Sequence, residues 1–342
     1  MKRVLLIGAG HAHLVVLRSL AQKPLYGARI TLVNPLARQV YSGMLPGILA
    51  GHYRRAEAEI DIAALAERAY VEFEQGVVER FDAGERRVVL KRGRAPAYDA
   101  VSFNVGSLVQ ASIPGAELAL PVKPFDEFLA RLRIAERVAV VGAGAAGAEL
   151  ALALRHRGAQ VTLYSENPSL HARVVKQLRR RKVDYRPGMP ATAIEPGPVV
   201  IAGAAHQDFD LVLLATGAAA MPWLARSGLA TDERGFVLVT PALRSVSHPE
   251  VFALGDCATL RDSPHPKSGV YAVRHGEALI ENLRLLVAGA PLAPYAPQQK
   301  ALALLSCGAR YAIAERGGWS AQGRWVWWWK NRIDRRWIRS FR

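Results

Sequence analysis

Two short glycine turns are the residues of this 342-residue chain whose type and spacing most directly imply chemistry. In the first, Gly8 and Gly10 follow the apolar run VLLI and precede a helix-like stretch; in the second, Gly142, Gly144 and Gly147 stand between VAVV and an Ala/Leu-rich stretch. In such a turn the first glycine makes the tight passage from strand to helix, the second lets backbone approach a pyrophosphate, and the third brings helix close to strand. His13 occupies the third position of the first copy. Only the packing role is lost there, because the anion site consists of unpaired N–H groups at the positive end of a helix. Two copies in the same context predict two dinucleotide sites. A third chemical residue, Asp256 in ALGDCA, follows a strand-like run, where a carboxylate is costly unless hydrogen-bonded.

Regular elements must hold these turns in place. The first unit reads as strand RVLLIG, a helix to about Leu20, strand ARITLVNP, the loop VYSGMLPGILAGHY, a helix from Ile62 to Ala69, and strands in VEFEQGVVERFD and RRVVLKRG before YDAVSFNVGS. Residues 113–124, IPGAELALPVKP, read as a crossing linker. The second unit repeats the plan with strand AQVTLYS, a basic helix over 171–182 and strand DLVLLATG, and a later helix spans Ser268 to Val287. The expected fold is α/β, with two Rossmann-like dinucleotide-binding domains, the second inserted in the first. Residues 1–112 and 241–297 form one domain, 113–240 the other, and 298–342 a short C-terminal hairpin and amphipathic helix. The length suits about two domains.

Composition narrows the function classes. Cys257 and Cys307 cannot make a disulfide framework, which fits a reducing, cytoplasmic setting. The start, Met1-Lys2-Arg3 and then apolar residues, reads as a buried first strand because Gly8 and Gly10 interrupt any signal-peptide core. No run reaches the roughly 18 apolar residues of a membrane-spanning helix. The net charge of +16 is concentrated: residues 173–187 and 319–342 carry +6 each. No nucleic-acid module accompanies that charge. The nine histidines show no metal-ligand spacing, so no metal is expected.

The segments GAGHAH, VVGAGAAGAE, LLATG and VFALGDCA resemble the two-dinucleotide-binding-domain flavoproteins of the pyridine nucleotide-disulfide oxidoreductase superfamily, over essentially the whole chain. Within it, YSGMLPGILAGHY, PVKPFDEF and WKNRIDRRW look like the type II NADH dehydrogenase-like branch, particularly the flavoprotein domain sometimes fused to selenide water dikinase. The resemblance implies FAD at the first turn, with Gly8, Gly10, His13, Asn34, Leu45, Gly255, Asp256, Gly269 and Val270 around it. It implies NADH or NADPH at the second, with Gly142, Gly144, Gly147, Ser165, Glu166, Thr216 and Gly217. Tyr41, Leu45 and Pro46 are expected to line the flavin, and Lys267 either to stabilise its reduced form or to stand in solvent. Arg274 and His275 occupy the place of the branch's acceptor-site glutamines, a departure that weighs against quinone. The acid that usually holds the adenosine ribose is replaced by Asn34 and by Ser165. Asn34 still offers a hydrogen bond; Ser165 removes a charge that would repel a 2′-phosphate, and Arg173 with Arg179, Arg180 and Arg181 reads either as a phosphate site or as a solvated face. No cysteine lies between Tyr41 and Tyr53, so the thiol-disulfide chemistry of the superfamily is excluded.

The tail is the most unusual stretch, with six of the seven tryptophans in residues 319–342. As a helix it would align Trp329, Ile333, Trp337 and Phe341 in one stripe, with Arg332, Arg335, Arg339 and Arg342 opposite. Tryptophan with arginine in that geometry suits an anionic membrane surface bound by residues 324–342 at the cytoplasmic face; packing on the body, or in a homodimer, is the alternative. Three functions stay open. One is an NAD(P)H oxidoreductase that passes electrons through FAD to a lipophilic acceptor such as a quinone. The second is a soluble reductase of a small acceptor linked to selenium or sulfur. The third is a flavin-bearing interaction protein.

Overall fold

In the computed structural model, which describes residues 1–93 and 95–342, the apolar run at the start forms β1 (Lys2–Ile7), entirely buried from Val4 onward. The glycine turn leads into α1 (His11–Gln22), then β2 (Ala28–Asn34), α2 (Leu45–Leu49), β3 (Glu72–Gln75) and β4 (Ala100–Phe103). A second sheet follows with β5 (Leu120–Pro121), β6 (Arg137–Val141), α3 (Ala145–His156), β7 (Gln160–Tyr164), α4 (Ala172–Arg180), β8 (Asp184–Arg186) and β9 (Leu211–Leu214). The chain then returns through β10 (Val251–Ala253) and α5 (Gly269–Ala288), and ends in β11 (Ala303–Ser306), β12 (Ala312–Arg316), β13 (Trp319–Gly323) and α6 (Arg324–Arg339).

The first sheet has the order β10-β4-β1-β2-β3 and the second β5-β9-β6-β7-β8, and every pairing in both is parallel. Parallel sheets need both faces covered, which is why the inner strands β1, β6 and β9 read as apolar runs, whereas the edge strands β3 and β8 are polar. Because β10 rejoins the first sheet after the second is complete, the second is an insertion in the first. Helices α1 and α5 cross at Gly276, where a Cβ would lie 2.4 Å from the Ala12 carbonyl oxygen. Only glycine permits that approach, and it seats Leu14, Val16, Leu17 and Leu20 of α1 in the core. Each such burial contributes about 1.5–3 kcal/mol.

The C-terminal hairpin carries a third antiparallel strand, β13. Of the stripe foreseen on α6, Phe341 is buried and Trp329 and Trp337 pack against the first core, the alternative of packing on the body, while Ile333 is exposed. Val326, Trp327, Lys330, Asp334 and Ile338 also face the body, which shifts the inward face from the one foreseen. Arg335 bonds Glu57 at 3.2 Å and lies over the Tyr53 ring. The outer face instead exposes Trp325 and Trp328 at 57% and 56% and Ile333 at 39%, among the exposed arginines 324, 332, 336 and 339. The phase moved because Lys330 and Asp334 are buried as a pair, at 2.7 Å. Among the described residues, no helix is long and apolar enough to cross a membrane.

Candidate functional site

At the first turn Gly8 takes φ +84°, and a Cβ there would lie 2.7 Å from the Asn104 carbonyl oxygen. His13, expected beside the cofactor, turns its ring into the interior. Its Nδ1 lies 2.6 Å from the Gly8 carbonyl oxygen and its Nε2 2.8 Å from Ser102 Oγ. A carbonyl only accepts, so Nδ1 carries the proton and Ser102 donates to Nε2. Burial holds the ring neutral, its pKa down to about 4. His13 therefore closes the turn from behind, in place of the third glycine. Asn34 is likewise committed inside the protein: Oδ1 accepts from the Ala9 N–H at 2.8 Å and Nδ2 donates to the Leu36 carbonyl at 2.7 Å. It shapes the loop, with its amide already paired at both ends.

Sequence reasoning passed over Asn104, which ties the site together. Its Oδ1 accepts from the N–H groups of Ala12 and His13, and its Nδ2 donates to the Leu254 carbonyl at 2.9 Å. Beyond Leu254, Gly255 takes φ +63° and Asp256 follows. Asp256 Oδ2 accepts from Lys123 Nζ at 3.0 Å and from Ser107 Oγ at 3.2 Å. Lys123, from the VKP of the linker, is thus the ammonium at this turn. Lys267 is placed elsewhere: it donates to the Ala258 carbonyl and to Thr259 Oγ1, over the Phe236 ring.

The residues before the two helices, Gly10 for α1 and Ser268 for α5, make no side-chain cap, Asn104 Oδ1 takes the Ala12 and His13 amides of α1, and a Cβ on Gly269 would lie 3.3 Å from His11 Nε2. The positive ends of two helices converge there, with Val270 exposed and Lys123 near enough for its charge to act on His11. Two helix N-termini and an ammonium are a donor set suited to the diphosphate and electron-rich ring of a flavin dinucleotide.

Tyr41 sits beside this point, its ring 5.5 Å from that of His11 and 6.0 Å from that of Trp337. Its hydroxyl donates to Asp334 at 3.5 Å, and burial beside that carboxylate raises its pKa. Lys330 donates to Asp334 and to the Gly43 carbonyl, each at 2.7 Å. Leu45 and Pro46 are buried in α2, and Leu45 belongs to the core of the second sheet. Glu149 of α3 accepts from the Ser306 N–H at 2.6 Å, and burial raises its carboxyl to about 7 despite the nearby charge of Lys330. Arg274 and His275, both expected at the acceptor site, point apart. Arg274 is exposed and bonds Glu277 at 2.8 Å, while His275 is buried against the Gly255 N–H. Burial raises both thiols, Cys307 to about 12, so neither supplies a thiolate.

The second turn matches its sequence pattern. Gly142 takes φ +104°, and a Cβ on Gly147 would lie 1.8 Å from the Gly142 carbonyl oxygen, so helix and strand meet there. A Cβ on Gly144 would meet nothing within 4 Å, and α3 has no side-chain cap. Ser165 is buried and donates to the Asn167 carbonyl at 2.8 Å, while Glu166 is exposed. Thr216 donates to the Gln110 carbonyl, and the Gly217 carbonyl accepts from the Gln110 N–H at 2.7 Å. Arg173 donates to Ser320 at 2.8 Å and is turned toward β13. An open glycine before an uncapped helix suits a pyrophosphate.

Comparison with known proteins gives the family and the fold. The chain is 24% identical over 281 residues to ferroptosis suppressor protein 1 of Taeniopygia guttata, covering 72% of each chain. It is 27% identical over 294 residues to an NADH oxidase of Lactococcus lactis subsp. cremoris, covering 75% of this chain and 64% of that one. In fold it superimposes on the sulfide:quinone oxidoreductase of Aquifex aeolicus with a TM-score of 0.82 at 17% identity, over 100% of this chain and 92% of that one. Residues 2–276 match the family described as pyridine nucleotide-disulphide oxidoreductase, and the chain belongs to that family of FAD- and NAD(P)H-dependent oxidoreductases.

Proposed function

We propose that this flavoenzyme passes electrons from NAD(P)H to a quinone at an anionic membrane surface. The observation that carries the reading is the double use of α6. Its inner face brings Lys330, Asp334 and Trp337 against Tyr41 and Gly43, beside the converging helix ends. Its outer face exposes Trp325, Trp328 and Ile333 among arginines. A helix that walls the flavin site on one side and suits a bilayer interface on the other gives a lipophilic acceptor a short way in. Bound FAD would supply two-electron chemistry between nicotinamide and acceptor. The balance, NAD(P)H plus quinone plus one proton to NAD(P)+ plus quinol, requires a proton at the acceptor side. Tyr41 keeps its proton at neutral pH, and Glu149, which feels the charges of Lys330 and Asp334 on α6, keeps its proton about half the time at pH 7; these are the groups assigned to supply it.

Anaerobic reduction with NADH or NADPH, followed by mixing with anionic vesicles carrying quinone, tests the reading. Fast reoxidation by quinone, and slow reoxidation by water-soluble small acceptors, is the expected result. The reverse order would support the soluble reductase. In Trp325→Ser/Trp328→Ser, vesicle partition should fall by at least about tenfold while flavin reduction is unchanged. Vesicle flotation of that variant equal to wild type would remove the membrane from the reading. Deleting residues 324–342 is a poor substitute, because Val326, Trp327, Ile338 and Phe341 belong to the core.

Glu149 gives a pH signature. Its carboxyl is raised from 4.5 to about 7, so the folded chain keeps a proton that the unfolded chain has already released. Its contribution to stability is full below about pH 4.5 and is lost as pH rises through about 7. Quinone turnover should fall on that same limb, by about tenfold per pH unit once the proton is gone. Glu149→Gln should flatten the limb while NAD(P)H still reduces the flavin. An unchanged profile in the variant would exclude Glu149 as the proton holder.

A further inference from the structure

We infer that His275 and His265 form a one-directional hydrogen-bond relay that positions the Gly255–Asp256 turn for the flavin; the inference rests on the assignment of that turn to FAD. His275 lies on the second turn of α5 and is 1% exposed. Its Nδ1 accepts from the Gly255 N–H at 3.0 Å. An amide only donates, so Nδ1 carries a lone pair and the neutral ring bears its proton on Nε2. That Nε2 lies 3.0 Å from His265 Nε2, which must accept, leaving the His265 proton on Nδ1. Nδ1 of His265 lies 3.1 Å from the Pro266 carbonyl oxygen, which only accepts. A backbone donor closes one end and a backbone acceptor the other. One arrangement of two protons satisfies all three bonds.

The relay grips one peptide. The Leu254–Gly255 unit has its carbonyl held by Asn104 Nδ2 at 2.9 Å and its N–H held by His275 at 3.0 Å, so its plane is fixed from both sides. Asp256 is the next residue, and Asn104 also binds the first amides of α1. The peptide therefore joins the two helices whose N-termini converge on the flavin site. Packing holds the rings: His265 stacks on Tyr271 at 4.2 Å, and His275 meets Tyr295 edge-on at 4.9 Å. A further proton on His275 would aim an N–H at the Gly255 N–H. Burial, His265 and Lys267 all oppose that proton and only Asp256 favours it, which holds the ring neutral with its pKa down to about 3. Arg274 and Glu277, on the same helix, pair with each other on its outer side.

The relay makes His275 a positioning residue with a side chain that glutamine imitates: amide oxygen toward Gly255, amide nitrogen toward His265. Nitrogen-15 imidazole NMR of the holoenzyme should show the Nε2–H tautomer at His275 and the Nδ1–H tautomer at His265. His275→Phe keeps the ring and loses both bonds, and its FAD dissociation constant should rise by about tenfold. His275→Gln should stay within about twofold of wild type, and His265→Phe should fall between them. An Nδ1–H tautomer at His275, or His275→Phe binding FAD as tightly as wild type, would overturn the relay. Should His275→Phe fail to fold, the wild-type tautomers and His265→Phe decide the matter. Asp256→Ala separates the two levels. If it keeps FAD at wild-type affinity, the assignment of the turn fails and takes the relay with it. If it loses FAD while His275→Phe does not, the relay alone is wrong.

Discussion

Gly144→Val should lower reduction of the flavin by both NADH and NADPH by at least about a hundredfold, because displacing a bound reactant by as little as 1 Å can cost that much. Flavin content and melting temperature should stay at wild-type values. The reason lies in the empty surroundings of this glycine. Its backbone, φ −61° and ψ −179°, is extended and open to any residue, and a Cβ there meets no atom within 4 Å. The fold has no use for the missing side chain, so valine costs the apoprotein little. Its methyl groups would instead occupy the space in front of the uncapped α3, through which the backbone must reach a pyrophosphate. Gly147 is the contrasting control. A Cβ there would run into the Gly142 carbonyl at 1.8 Å, so Gly147→Ala should lower the melting temperature and blur any kinetic reading. Anaerobic stopped-flow at saturating nicotinamide, with a melting curve on the same sample, makes the comparison. Reduction of Gly144→Val at the wild-type rate by either coenzyme would leave the second turn a structural feature only.

The difference between those two glycines shows what a sequence can carry. Gly142, Gly144 and Gly147 act on one another within six residues, so their spacing alone revealed the turn. The same holds for the inner strands β1, β6 and β9, whose burial on both faces is written as apolar runs. The brace at the first turn was invisible for the opposite reason. Asn104 bonds Ala12 and His13 at one end and Leu254 at the other, separations of 92, 91 and 150 residues, and a lone asparagine after a strand has no pattern. His13 looked like a gap in a fingerprint because its compensation, the bonds to Gly8 and Ser102, also comes from tertiary structure. On α6 the periodicity was visible but its phase was not. Counting apolar residues places Lys330 and Asp334 in water, whereas the pair is buried at 2.7 Å with Gly43 and Tyr41 as further partners. A buried ion pair rotates the helix against its apolar count, and that pair was set by residues almost 300 positions earlier.

The same long-range pairing decides what removal of Asp256 should do. Asp256→Ala is expected to weaken FAD binding by about ten- to a hundredfold, the equivalent of about 1.5–3 kcal/mol for a hydrogen bond to a charged group. Two effects contribute, and they can be separated. The carboxylate that the turn presents is lost, and Lys123, whose side chain is 25% exposed, loses its 3.0 Å partner and keeps only Ser107. A stranded ammonium beside two helix N-termini adds positive charge where a diphosphate would sit, so it offsets part of the loss toward FAD while destabilising the apoprotein. Asp256→Asn restores an acceptor for Lys123 without the charge. If the carboxylate itself holds the cofactor, Asn should weaken FAD nearly as much as Ala yet melt close to wild type. If Asp256 serves only to position Lys123, Asn should bind FAD like wild type, and Lys123→Met should mimic Asp256→Ala. Flavin fluorescence titrations of the three variants, with melting curves of each apoprotein, distinguish these cases. Wild-type affinity in all three would mean that the Gly255–Asp256 turn does not hold the flavin.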